Sequence, residues 1–437
     1  MRTTNGIELW NKAKSIIPGG SQLLSKRSEQ FLPEQWPSFY ERAKGVTVWD
    51  LDGNALTDMS LMGVGTCILG YADEDVNAAV IESINNGSMT TLNCPEEVEL
   101  AELLLELNPW ADMVRYARTG GEAMAIAVRI ARAYSKKDTV AFSGYHGFHD
   151  WYLGANLAWQ HSLDGHLLPG LEPNGVPRAL KGTSIPFNYN CIDELETITK
   201  KHKIGAIVLE PVRHHKPKED FLPRVRAIAD EIGAVLVFDE ITSGWRMNAG
   251  GIHALFGVFP DVAVYGKAMS NGFPMAAVVG RREVMDAAQS SFISSTYWTE
   301  RIGPTAALAT INKLRAKNVF PHLSDIGKAI GDGWKKSAKN QGLNIDVLDF
   351  VPPLITFSFE HANAQVLHTL FTQEMLNRGY LASKSVYVSY AHTKNHVKRY
   401  LAHVDVAFET IKTGIERGTI FDLLKGPVAH TGFKRLT

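Results

Sequence analysis

Cysteine is scarce in this chain of 437 residues: Cys67, Cys94 and Cys191 lie far apart, with no CxxC and no Cys/His ligand spacing. That excludes a disulfide framework and a cysteine-built zinc site, and reduced thiols suit a cytoplasmic protein. Charge imbalance is missing too. The 45 Lys and Arg residues against 46 Asp and Glu leave a formal net charge of −1, so the chain as a whole has no electrostatic footprint for nucleic acid or an anionic membrane. No run of about 18 apolar residues occurs, and the first twenty or so residues lack the apolar core of a secretory signal. A cytoplasmic protein with no membrane partner is expected. Repeats and low-complexity tracts are also absent. What is present is ordinary soluble composition, 45% apolar and 21% charged, at a length that allows one large domain and a smaller one.

The informative stretch is AVLVFDEITSGWRMNAGGIHALFGVFPDVAVYGKAMSNGFP, from Ala234 to Pro274. Ala234 to Phe238 is an unbroken apolar, β-branched run without alternation, as expected of a parallel strand buried on both faces. It stops at Asp239-Glu240. A second such run, Asp261 to Tyr265, stops at Gly266-Lys267. Ligands of open α/β sheets bind outside the carboxyl ends of the strands, so Asp239 and Lys267 are placed to meet one ligand. A lysine that forms a Schiff base, paired with a carboxylate for a pyridinium nitrogen, is the requirement of pyridoxal phosphate chemistry. Taken singly, the Asp could equally be a loop cap and the Lys a solvated turn residue.

The two-part motif VFDEITSGWR and VYGKAMSNGFPMAAVVG, with 28 residues from Asp239 to Lys267, resembles the class III aminotransferases. Within them it looks most like the glutamate-1-semialdehyde 2,1-aminomutase branch, and the resemblance runs from the Pro-Gly-Gly at Pro18 to the C-terminal helix. It implies an α/β, type I pyridoxal-phosphate transferase fold. A large, mostly parallel sheet domain would span residues 71–317, and the N-terminal segment 1–70 would join the small α+β domain of residues 318–437. It also implies pyridoxal 5′-phosphate as cofactor, pyridoxamine 5′-phosphate as its amino-carrying form, Lys267 as the Schiff-base lysine and Asp239 as the partner of the ring nitrogen.

Other motifs fall into place around that pair. After the short strand Val114 to Ala117 the chain turns through Arg118-Thr119-Gly120-Gly121-Glu122 into a helical run. Such a start presents unpaired N–H groups at the positive end of the helix dipole, a ready anion site, although a tight turn with an N-cap would read the same. The family binds its cofactor phosphate here, which assigns Gly120 and Gly121 to that role; Gly121 stands where the family often has a hydroxyl. The strand Thr139 to Phe142 ends in Ser143-Gly144-Tyr145-His146-Gly147. By similarity, Tyr145 stacks on the ring and His146 lies beside it. Ile204 to Leu209 ends in Glu210-Pro211, where the family's Glu supports the hydrogen-bond network behind the ring. In the loop Phe292 to Ala307 a family Thr reaches the phosphate of the neighbouring subunit's cofactor, which implies a homodimer with shared sites and points to Thr296, with Thr299 as the other choice of register.

Substrate contacts are less legible. Arg213-His214-His215-Lys216-Pro217-Lys218 concentrates positive charge beside the site; it is either a solvated loop or a clamp for an anionic substrate, with Arg213 and His215 the candidates. Adjacent histidines lack zinc spacing, so no metal is expected. The segment SQLLSKRSEQ departs from the mutase's carboxylate-binding pattern but offers Ser25, Lys26 and Arg27. The resulting expectation is transamination from a small-molecule donor, glutamate, to an aldehyde or ketone acceptor, with an acidic sugar carbonyl as the candidate. The mutase reaction is the alternative. A nicotinamide dehydrogenase would need a G-x-G-x-x-G after the first strand, which is lacking, and would leave Asp239 and Lys267 unexplained.

Overall fold

The computed structural model describes residues 4–166, 169–212 and 215–432. The chain divides into two compact units: one is Glu74–Asn318, and the other joins the N-terminal segment through Asp73 to everything from Val319 onward.

The Glu74–Asn318 unit is built on a seven-stranded sheet: β1 Met113–Ala117, β2 Thr139–Ser143, β3 Ser184–Pro186, β4 Ile204–Leu209, β5 Val235–Asp239, β6 Val262–Tyr265 and β7 Ala276–Gly280. Their spatial order is β1-β7-β6-β5-β4-β2-β3. Only β7 is reversed, running antiparallel to both β1 and β6, and every other pairing is parallel. The carboxyl ends of β1, β2, β4, β5 and β6 therefore share one edge of the sheet.

The unbroken apolar runs have a simple cause. Side chains alternate between the faces of a strand, and here both faces are covered. Val235 and Val237 of β5 enter one core with Ala206 and Val208 of β4, against the helix Gly120–Ser135. Leu236 and Phe238 enter the opposite core with Ile207 and Leu209, against the helix Phe221–Ile232. Gly233, in left-handed conformation at φ 62°, ends that second helix and feeds β5. The long segment after β2 adds to both the core and the sheet. A helical turn, Asp150–Leu153, drives Trp151 and Tyr152 into the first core, and β3 extends the sheet beyond β2.

In the other unit, Tyr40–Lys44, Thr47–Asp50 and Ala55–Met59 form an antiparallel meander, and Tyr380–Ala382 adds in parallel to its third strand. A second sheet pairs Ile345–Leu348, Leu354–Phe359 and Ser385–Tyr387. The helices Val319–Gln341, Ala364–Asn377 and Lys394–Arg417 pack with it around Trp334, Phe357, Phe371 and Phe408. Among the described residues, no helix is long and apolar enough to cross a membrane.

Candidate active site

Each strand that ends on the shared edge delivers a polar group there. Asp239, the last residue of β5, is 3% exposed. Its Oδ1 accepts the Ile241 amide at 3.0 Å, and its Oδ2 lies 2.8 Å from His146 Nδ1. His146, just beyond β2, is buried and reaches across the end of β4 to make that contact. Its Nε2 is 3.1 Å from the Ser143 carbonyl. Phe142 meets the imidazole edge-on and Trp151 stacks on it, fixing its plane.

The loop that carries Tyr145 and His146 is pinned at its start by two side chains. The Tyr145 amide donates to Glu210 Oε2 at 3.3 Å, and the Gly144 amide donates to His166 Nδ1 at 3.2 Å. Burial lowers the pKa of His166 and favours its neutral form. Gly147, at φ 101°, lies so close to the helix start that a Cβ would stand 2.9 Å from Gly121 Cα. Only glycine serves at that contact. The helix itself begins with a capping box. Thr119 Oγ1 accepts the Glu122 amide, and the Glu122 carboxylate accepts the Thr119 amide at 2.9 Å. Gly120 and Gly121 form the first turn, where N–H groups have no carbonyl four residues before them within the helix.

Lys267 follows β6 in a left-handed conformation at φ 42°, and its Nζ donates to Thr242 Oγ1 at 2.7 Å. The neighbour of Asp239, Glu240, is an anchor. It is fully buried, accepts both the amide and Nδ1 of His253 at 2.9 and 2.8 Å, and accepts Ser243 Oγ at 2.6 Å.

Asp239, His146, Tyr145, Glu210, Gly120, Gly121 and Lys267 thus all lie along one edge of the sheet. Glu210 and His215 line a common cavity of about 230 Å³ with Ser143, Gly144, His166 and Tyr189. Arg213 lies outside the described residues. Thr296 is exposed and opens the short turn Thr296–Thr299, with Thr299 Oγ1 donating to the Thr296 carbonyl at 2.9 Å. Ser25 and Arg27 belong to the other unit. There Ser25 is exposed, and the Arg27 guanidinium packs on Gly19 where any Cβ would overlap it. Among the described residues, no group of three or more His, Cys, Asp or Glu side chains is placed to hold a metal ion. Sequence reasoning missed Thr242, His166 and the direct His146–Asp239 bond. None of the three carries a local signal.

The family model "Aminotransferase class-III" matches residues 32–382. The chain belongs to the class-III aminotransferases. This aminotransferase is 31% identical to the 3-aminobutyryl-CoA aminotransferase of Cloacimonas acidaminovorans, over 92% of this chain and 98% of the relative. It is 34% identical to the glutamate-1-semialdehyde 2,1-aminomutase of Ignicoccus hospitalis, over 76% of this chain and 79% of the relative. Among solved structures it resembles the Sphingopyxis sp. FumI protein in its PLP internal aldimine form, with a TM-score of 0.86 at 23% identity over 94% of this chain and 98% of that one. The aminotransferase has the type I fold, and its cofactor is pyridoxal 5′-phosphate.

Proposed function

We propose that Lys267 and Asp239 are the catalytic pair of a transaminase that moves an amino group from glutamate to an aldehyde or ketone, with an acidic sugar carbonyl as the acceptor class. The observation that carries this reading is the side-by-side arrangement of β5 and β6, in which Asp239 pairs with Val264. One strand ends in a buried carboxylate tied to an imidazole, and its neighbour leads directly to an amine.

The residues present fit the cofactor. The Asp239 carboxylate, held by His146, would face the ring nitrogen and favour its protonated form. Tyr145 would cover the ring, and the amides of Gly120 and Gly121 would hold the phosphate, helped by the helix dipole. Glu210 holds the Tyr145 loop in place. When bound, pyridoxal phosphate supplies the electron sink that lets a carbon beside the amino group lose its proton. Lys267 Nζ takes that proton and returns it during the transfer.

In this reading the protein works as a homodimer, with Thr296 reaching the phosphate in the other protomer. Exposed apolar side chains around that turn support it: Phe292 and Tyr297 are 86% and 73% exposed, and Met89 approaches Thr299 at 3.6 Å. A patch of this kind marks an interaction surface. His215, which shares a cavity with Glu210, is assigned to the anionic end of the substrate. The name of the coenzyme A-linked relative favours intermolecular transfer. Kinship with the aminomutases supports a second reading, transfer within one molecule.

The test is the visible spectrum of the purified protein before and after excess glutamate. A band at about 420 nm that yields to one at about 330 nm supports the lysine chemistry and the glutamate donor. A yellow protein indifferent to glutamate rejects that donor. A colourless protein that the cofactor does not turn yellow rejects the catalytic pair.

A further inference from the structure

Asp239 of β5 is in register with Val264 of β6. Thr242 is three residues beyond the first and Lys267 three beyond the second, so the two turns leave the sheet at one height. Their side chains meet, with Lys267 Nζ donating to Thr242 Oγ1 at 2.7 Å. The left-handed backbone of Lys267, a conformation that costs a non-glycine residue free energy, sends its side chain from the last turn of β6 toward β5.

Thr242 is held more firmly than a loop residue usually is. It is 6% exposed, and its carbonyl accepts Nε of the buried Arg246 at 3.2 Å. The residues on either side are pinned through the Glu240 carboxylate, which takes His253 and Ser243, and through the Gly244 amide, which donates to the Glu240 carbonyl at 2.8 Å. A hydroxyl with a fixed carbon frame still rotates its proton. It can accept from an ammonium, and it can turn to donate to the lone pair of a neutral amine.

We propose that Thr242 is a positioning residue for Lys267, whose hydroxyl keeps the amine at one place in both protonation states and sets the pH at which it becomes reactive. No proton is exchanged in this role. The Thr242 proton stays on oxygen, and only the direction of the hydrogen bond changes. The inference rests on the assignment of Lys267 as the cofactor lysine.

The experiment needs no turnover. Cofactor-free wild type, T242V and T242S are reductively methylated with formaldehyde and cyanoborohydride across a pH series, and the rate at Lys267 is read by peptide mass spectrometry. A hydrogen bond from the charged amine outweighs one to the neutral amine by about 1 kcal/mol, so losing both favours the neutral form by several-fold up to about tenfold. The Lys267 midpoint in T242V is therefore expected to fall by up to about one pH unit. T242S, which keeps the hydroxyl, should superimpose on wild type. A T242V profile that matches wild type overturns the proposal, as does a T242S profile displaced as far as that of T242V. If T242V does not fold, T242A against T242S gives the same comparison. Borohydride reduction of the cofactor-loaded protein separates the two assignments. A cofactor label on another lysine, with the T242V shift intact, rejects Lys267 as the cofactor lysine and leaves its contact with Thr242 standing.

Discussion

Asp239→Asn separates catalysis from architecture, because the site can keep its hydrogen bonds while losing its charge. In the wild type, Oδ1 accepts the Ile241 amide and Oδ2 faces His146 Nδ1 at 2.8 Å. In the variant, the asparagine oxygen can keep the first bond and its NH2 group can donate to Nδ1. The contact of Nε2 with the Ser143 carbonyl is untouched by the change. Exchanging a charge-assisted bond for a neutral one costs about 1 kcal/mol of stability. On the role proposed for Asp239 the loss in catalysis is larger, because the preorganised charge that would keep the ring nitrogen protonated is gone. Removal of one such preorganised group costs about 10²–10³ in kcat, or ~3–4 kcal/mol. Stopped-flow absorbance of the amino-donor half-reaction, beside a thermal melt, reads both quantities. A variant that melts like wild type and reacts within threefold of its rate would refute the role given to Asp239.

Lys267→Ala should fold and bind the cofactor without a covalent link, and its turnover should fall to background in a steady-state assay. Gly147→Ala places a Cβ 2.9 Å from Gly121 Cα at φ 101°, so the loop must lift from the helix start. A strain of about 1–3 kcal/mol is expected, read as a lower Tm and weaker cofactor binding in a fluorescence titration. Burial pushes the His368 pKa down to about 3 and that of His392 down to about 4. Both folded-state values lie below the unfolded value of about 6.5. Their stabilising effect is thus complete above pH 6.5 and is lost as the pH falls from there toward the folded values. At pH 5 each has withdrawn ~2 kcal/mol. H368F, which places a ring beside Phe357 and Phe359, should remove its share of the difference between denaturant unfolding at pH 7 and at pH 5; an unchanged difference would contradict the assignment.

The parts of the fold that could be read from the sequence were those in which one local cause dominates. β4, β5 and β6 are buried on both faces, so nothing interrupts their apolar runs until a charged residue marks the edge of the sheet. The Gly-Gly helix start was legible for the same reason, since its backbone requirement is local. The order of the strands was not, and neither was the reversal of β7, which depends on pairing partners far away in sequence. The His146–Asp239 bond joins residues 93 apart across an intervening strand. Thr242 looks like any loop threonine until the register of Asp239 with Val264 brings it to Lys267. β3 is short and ends in proline, so it emerged only as an edge strand in a segment that otherwise reads as loop. Glu240, read in sequence as half of a charged pair, is an internal anchor because His253 folds back onto it.

The most direct test of the account is to reduce the cofactor-loaded protein with borohydride, digest it and locate the phosphopyridoxyl group by mass spectrometry. The account predicts a single modified peptide with the group on Lys267 Nζ. A label on any other lysine, or none in a protein that holds the cofactor, would contradict it.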